Sequence, residues 1–274
     1  MNLESHRAVK DAVEVLPSLA SHLQAERHDA LAASMLYEYR LNELGKEFAS
    51  HNLTPMIVKG QAIVDLAYPS DEIRLSGDID LLVGNEGEQV AAVLKEIGYQ
   101  ENTPHSRHFQ FSERGFFQNE QRLPSYIEVH RCLDKIICRP IPYNEILTRS
   151  KPSGRQGFRY PAIEDLFLLM ILHASCDIFF DSGRLQRDLR FLIENGKPDM
   201  DIVWKRAHEW GLSRALRRLL NGQYPKITYL SGEWSASKTG AYILDQLFWH
   251  DNLLTALRGL AKYSLARLRD RLSP

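Results

Sequence analysis

Apolar residues recur at helical spacing early in the chain: Tyr37, Leu41, Leu44 and Phe48 stand four, three and four residues apart. That spacing predicts a helix over 30–51 with one buried stripe. A shorter helix is expected over 13–23, started or interrupted by Pro17. The texture then changes. Pro55–Gly60 is a short apolar, β-branched run closed by glycine and reads as a buried strand ending in a turn, with a brief helix through Ile63 and Leu66 leading to Tyr68-Pro69. The clearest strand is Asp78–Val83, followed after Gly84-Asn85 by a helix over 87–97. Segments around His108–Phe111 and Tyr126–Arg131 alternate polar and apolar residues and add strands to one mixed sheet.

Between Pro140 and Pro161, Pro142, Pro152 and Gly154 punctuate a polar stretch, which is where a domain boundary is expected. Beyond it the pattern is helical, over 166–176, 185–194, 202–220 and 241–271, with a break near Asn252. The reading is an α+β protein: an N-terminal helical segment (1–54), a mixed-sheet domain (55–150) and a C-terminal helical domain (151–274). No internal repeat or low-complexity tract interrupts it.

Composition narrows the function classes. With 34 Lys+Arg against 35 Asp+Glu the formal charge is -1, so the surface is not built to hold long nucleic acid by its phosphates. Cys132, Cys138 and Cys176 have neither CxxC spacing nor an even count and fit reduced thiols. The first residues carry no signal-peptide pattern and no window is apolar enough to span a bilayer, so a soluble cytoplasmic protein without membrane partners is expected. Oligomeric state leaves no mark in the sequence.

The chemistry concentrates on two strands. In Gly77-Asp78-Ile79-Asp80-Leu81-Leu82-Val83 a strand period of two puts Asp78 and Asp80 on one face, Cβ to Cβ roughly 7 Å apart, with Ile79 and Leu81 on the other. Such aspartates either cap nearby backbone or hold a cation. Glu128 and His130 share a face of the later strand, so Glu128 can join the pair if the strands are neighbours. Three clustered carboxylates repel one another, and a divalent metal would neutralise them and couple them to phosphate oxygens.

The order Val58-Lys59-Gly60, Tyr68-Pro69, Arg74, Gly77-Asp78-Ile79-Asp80-Leu81-Leu82-Val83 and Ile127-Glu128-Val129-His130 resembles the polymerase-beta-type nucleotidyltransferase superfamily. Within it, the closest likeness is to a little-characterised bacterial branch with a lysine-glycine turn. The resemblance spans roughly residues 50–195 and is sharpest over 58–83. It implies a palm of mixed strands with flanking helices followed by a helical domain. It also implies Asp78, Asp80 and Glu128 as magnesium (or manganese) ligands, with Glu128 activating the acceptor hydroxyl. The superfamily's glycine-serine pair is replaced here by Lys59-Gly60, leaving the triphosphate to the glycine turn and the lysine. Arg74 reads as a phosphate clamp or a carboxylate anchor, and Gly77 as part of the nucleotide site.

His173 lies on an apolar helix face, either as a core histidine paired with Asp188 or as a nucleotide contact. His105, Arg107 and His108 form a basic cluster that reads as cleft or surface. In the C-terminal helix Leu265, Leu268 and Leu272 fit packing on its own domain, with Lys262, Arg267, Arg269 and Arg271 on the wet face. The expected partners are a nucleoside triphosphate, with ATP foremost, and an unidentified small-molecule, sugar or protein acceptor. A catalytically inactive nucleotide-binding partner protein and a nucleic-acid tailing enzyme are the competing readings.

Overall fold

The computed structural model describes residues 28–74, 76–102, 113–118, 126–134, 139–176, 182–223 and 249–272. The expected helix over 13–23, the strand around His108–Phe111, the cluster His105, Arg107 and His108, and Cys138 lie outside these residues.

The predicted apolar stripe forms α1, helical over 28–50, with Tyr37, Leu41, Leu44 and Phe48 all buried. The chain continues through β1 (Met56–Ile57), α2 (Lys59–Ala67), β2 (Ile79–Leu82), α3 (Gly87–Glu96), β3 (Gln100–Asn102), β4 (Glu113–Phe117) and β5 (Tyr126–His130). Then come α4 (Tyr143–Arg149), β6 (Lys151–Pro152) and β7 (Arg159–Tyr160). The strands make one mixed sheet in the order β3-β4-β5-β2-β1-β7-β6, parallel at β5/β2 and β1/β7 and antiparallel elsewhere.

Two faces of this sheet have opposite chemistry because strand side chains alternate. Ile79, Leu81, Ile127 and Val129 are buried, with α2 packed on β2 and α3 on β5. Asp80, Glu128 and His130 stand on the other face. The hairpin β6–β7 extends the sheet across the proline-rich stretch. Its loop residue Arg155 bonds Glu38 of α1 and Asp65 of α2 (Nη2–Oδ1 2.9 Å), tying sheet edge to both helices.

The helical part comprises α5 (Ile163–Cys176), α6 (Ser182–Phe191) running into a π turn (Leu192–Gly196), α7 (Met200–Glu209), α8 (Ser213–Leu220) and α9 (Leu253–Leu272). Residues 202–220 are two helices rather than one run: Gly211 adopts φ +69°, a left-handed conformation that ends α7 beside the buried Trp210. Asp165 on α5 is wholly buried and accepts from Arg149 of α4 and Arg206 of α7, each at 2.9 Å. Asn195 in the π turn donates to the carbonyl of Ala67, satisfying the C-terminal end of α2.

One packing expectation is corrected. Leu265 is 57% exposed, so this leucine does not pack on its own domain, and the side chains of Leu268 and Leu272 lie outside those described. Among the described residues no helix is long and apolar enough to cross a membrane, and Cys132 and Cys176 form no disulfide.

Candidate metal and nucleotide site

Register creates the site. β2 and β5 run parallel with Asp80 opposite Glu128 and Leu82 opposite His130, so the two carboxylates leave the sheet side by side and the imidazole lies one step diagonal. His130 Nε2 is 2.9 Å from Asp80 Oδ1 and 3.2 Å from Glu128 Oε2. One donor atom from each of the three residues lies within 4.8 Å of the others. Two carboxylate oxygens and one imidazole nitrogen at such separations could hold a single divalent cation.

His130 was not among the residues that the acidic motif singled out. The signal was present, since it stands two residues after Glu128 on the same strand face. Asp78 stands one residue short of the paired strand. β2 begins at Ile79, and Asp78 sits in the bend before it, partly exposed and outside the converging trio. Its backbone carbonyl accepts a 2.8 Å hydrogen bond from the buried Tyr37 hydroxyl of α1. It remains in the field of the site: burial, then the charges of Asp80 and Glu128, push its carboxyl up to about 6.

Lys59 enters the cluster. Its Nζ lies 2.6 Å from Asp80 Oδ1 and 3.4 Å from Glu128 Oε2. Burial alone would lower its pKa, but Asp80 and then Glu128 outweigh that and hold the ammonium charged well above its ordinary range. Burial likewise works against the Asp80 carboxylate, and Lys59 and His130 reverse it, keeping Asp80 ionised far below the usual carboxylate range. Glu128 is lowered despite burial, first by the His130 hydrogen bond. His130 is raised despite burial and Lys59, by its bonds to Asp80 and Glu128.

Arg74 is anchored, but to a carboxylate outside the trio. Its Nε and Nη2 donate to the two oxygens of Asp188 on α6, both at 2.9 Å, and Nη1 donates to Ser76 Oγ at 2.8 Å. Tyr68 donates to the same Asp188 Oδ1 at 2.5 Å. Gly60 lies in the first turn of α2, where a Cβ would collide with the Arg74 guanidinium and the Ser76 hydroxyl. Gly77 is exposed, with nothing within 4 Å of where its Cβ would be.

A cavity of about 530 Å³ opens beside this group, between α1, α2 and the loop 68–77, and Tyr37, Gln61, Arg74, Ser76, Gly77 and Arg184 contribute to its wall. His173 lies half-buried on α5 and is not one of the three converging donors. Asp188, its expected partner, accepts three hydrogen bonds from Arg74 and Tyr68.

The structure thus brings the acid of one strand beside the acid-x-histidine of its parallel neighbour. Residues 3–221 match a family model described as an uncharacterised nucleotidyltransferase. The chain belongs to this family. With it the chain falls in the polymerase-beta-type nucleotidyltransferase superfamily. No curated protein matches significantly. Among solved structures, the crystal structure of JHP933 from Helicobacter pylori is similar over 84% of this chain and 97% of its own, at 14% identity and a TM-score of 0.38. So distant a superposition transfers nothing to this nucleotidyltransferase.

Proposed function

We propose that this nucleotidyltransferase moves a nucleoside monophosphate from a nucleoside triphosphate to a hydroxyl or phosphate of a small-molecule, sugar or protein acceptor, releasing pyrophosphate. The observation that carries the reading is the side-by-side placement of Asp80 and Glu128, bridged by His130, on one face of the sheet. Asp80, Glu128 and His130 would hold a divalent cation, with Asp78 at its edge. Bound there, the cation would neutralise triphosphate charge and acidify the acceptor hydroxyl.

The remaining residues supply position. Glu128, partly exposed, would take the acceptor proton. The N-terminus of α2 at Gly60, with the Ser76 hydroxyl and the Nη1 of Arg74 that donates to it, would meet the phosphates. Gly77 leaves room for a ligand to approach the backbone, and the adjoining cavity is of a size that suits a nucleoside or an acceptor group. ATP is the favoured triphosphate, magnesium the favoured ion with manganese as substitute, and His173 lies outside the core of the proposal. The division into N-terminal segment, palm and helical domain, and a cytoplasmic location, belong to the same reading.

The test is product formation. Labelled triphosphates, magnesium or manganese, and fractionated cell extract are incubated with the protein, following pyrophosphate release and the mass of the labelled product. The reading expects an acceptor whose mass rises by one nucleoside monophosphate unit, and no such product with Asp80→Asn. Label transfer that persists undiminished in Asp80→Asn would contradict it.

A further inference from the structure

The backbone at Lys59 is unusual. Val58 still follows strand geometry, its N–H donating to the Asp80 carbonyl at 3.0 Å. Strand alternation carried one residue further would send the Lys59 side chain to the face opposite Asp80. Instead the chain turns at Lys59 with φ +55°, a left-handed conformation that costs a non-glycine residue on the order of 1 kcal/mol. The turn returns the ammonium to the carboxylates, where it is buried against Asp80 and Glu128. Glycine would relieve the backbone at no steric cost, so what the strain secures is the side chain.

The ammonium touches the same two oxygens, Asp80 Oδ1 and Glu128 Oε2, that His130 touches and that a divalent ion would need. A divalent ion seated on those oxygens would stand a few ångströms from the ammonium, and the two like charges would repel each other strongly in so buried a place. We infer that Lys59 is a resident counter-ion that gives up Asp80 and Glu128 when a divalent cation binds, and that its released ammonium then pairs with triphosphate oxygens. No bond is made or broken; one cation replaces another on the carboxylates. The lysine therefore weakens metal binding in the absence of nucleotide and strengthens it in its presence, which couples the two ligands. Only the nucleotide half of this inference rests on the nucleotidyltransferase reading.

The test is manganese titration followed by electron paramagnetic resonance, with and without a non-hydrolysable nucleoside triphosphate analogue. It uses the parent protein and Lys59→Met, which keeps length and removes charge. Without nucleotide, Lys59→Met is expected to bind manganese on the order of 10-fold more tightly than the parent. Adding the analogue is expected to raise manganese affinity more in the parent than in Lys59→Met. Equal or weaker manganese binding by Lys59→Met overturns the exchange and makes the lysine a permanent bridge.

Should Lys59→Met fail to fold, the parent protein answers by acylation and mass spectrometry. Lys59 should react slowly without metal and markedly faster with saturating manganese; an unchanged rate overturns the exchange, as does failure of the parent to bind manganese under any condition. Exchange without any analogue binding would sink the nucleotidyltransferase reading and leave the counter-ion role standing. Analogue binding without exchange would do the reverse.

Discussion

Arg74 and Asp188 are joined by two parallel hydrogen bonds of 2.9 Å, one from Nε and one from Nη2, with side chains 9% and 1% exposed. The pair fastens the loop leading into β2 to helix α6, and so connects the acidic strand to the helical part of the molecule. Removing one partner strands a buried charge. Asp188→Asn or Arg74→Ala is expected to cost about 3–5 kcal/mol. Urea denaturation of both single variants and the double variant checks it. The double variant should lose much less than the sum of the singles, and strict additivity would mean that the two groups do not depend on each other.

Glycine at 60 and glycine at 77 have different reasons to be there. Gly60→Ala places a methyl group against Arg74 and Ser76 and is expected to destabilise the fold by about 1–3 kcal/mol, as overpacking does. Gly77→Ala meets open space and is expected to leave stability nearly unchanged while reducing nucleotide binding. Thermal denaturation alongside calorimetric binding separates the two.

Asp78 gives a pH signature in the metal-free protein. Its folded-state pKa is pushed up to about 6 from an ordinary 3.8, chiefly by burial and then by Asp80 and Glu128. The native state therefore binds this proton more tightly than the unfolded chain. That stability is fully present below 3.8 and is lost as pH rises through about 6. Asp78→Asn cannot ionise, so in chelator its stability relative to the parent should climb across this window and then level off. Denaturation at about pH 4, 6 and 8 tests it, a pH-independent difference being the contrary outcome.

His130 bears on the choice of metal. An imidazole donor favours manganese over magnesium more than an all-oxygen set does. His130→Gln should lower the ratio of manganese to magnesium affinity. That ratio is insensitive to a general loss of stability, which the buried position of His130 makes unavoidable. An unchanged ratio would remove the imidazole from the donor set.

Periodicity made the stripe of α1, the strand β2 and the sheet-then-helix order legible, because each rests on local alternation of apolar residues. Asp80 and Glu128 were legible too, as same-face positions on two strands whose adjacency the motif order implied. Three things were not. Asp78 falls just before the paired strand, since pairing with β5 begins at Ile79, a tertiary boundary that spacing does not encode. Lys59 reaches the carboxylates through a left-handed turn, which an alternation argument places on the wrong face. Asp188 meets Arg74 across 114 residues, a contact that exists only once the helical part folds back on the loop.

The account stands most directly on whether Asp80 and Glu128 recruit the cation that brings in a triphosphate. Calorimetric titration of a non-hydrolysable triphosphate analogue, with magnesium or with chelator, into the parent, Asp80→Asn and Glu128→Gln measures it, with circular dichroism confirming that each variant is folded. Binding by the parent that requires magnesium, and its loss by 10-fold or more, in order of magnitude, in each folded variant, is the predicted result. Folded variants that bind the magnesium analogue as tightly as the parent would show that these carboxylates are not the metal platform.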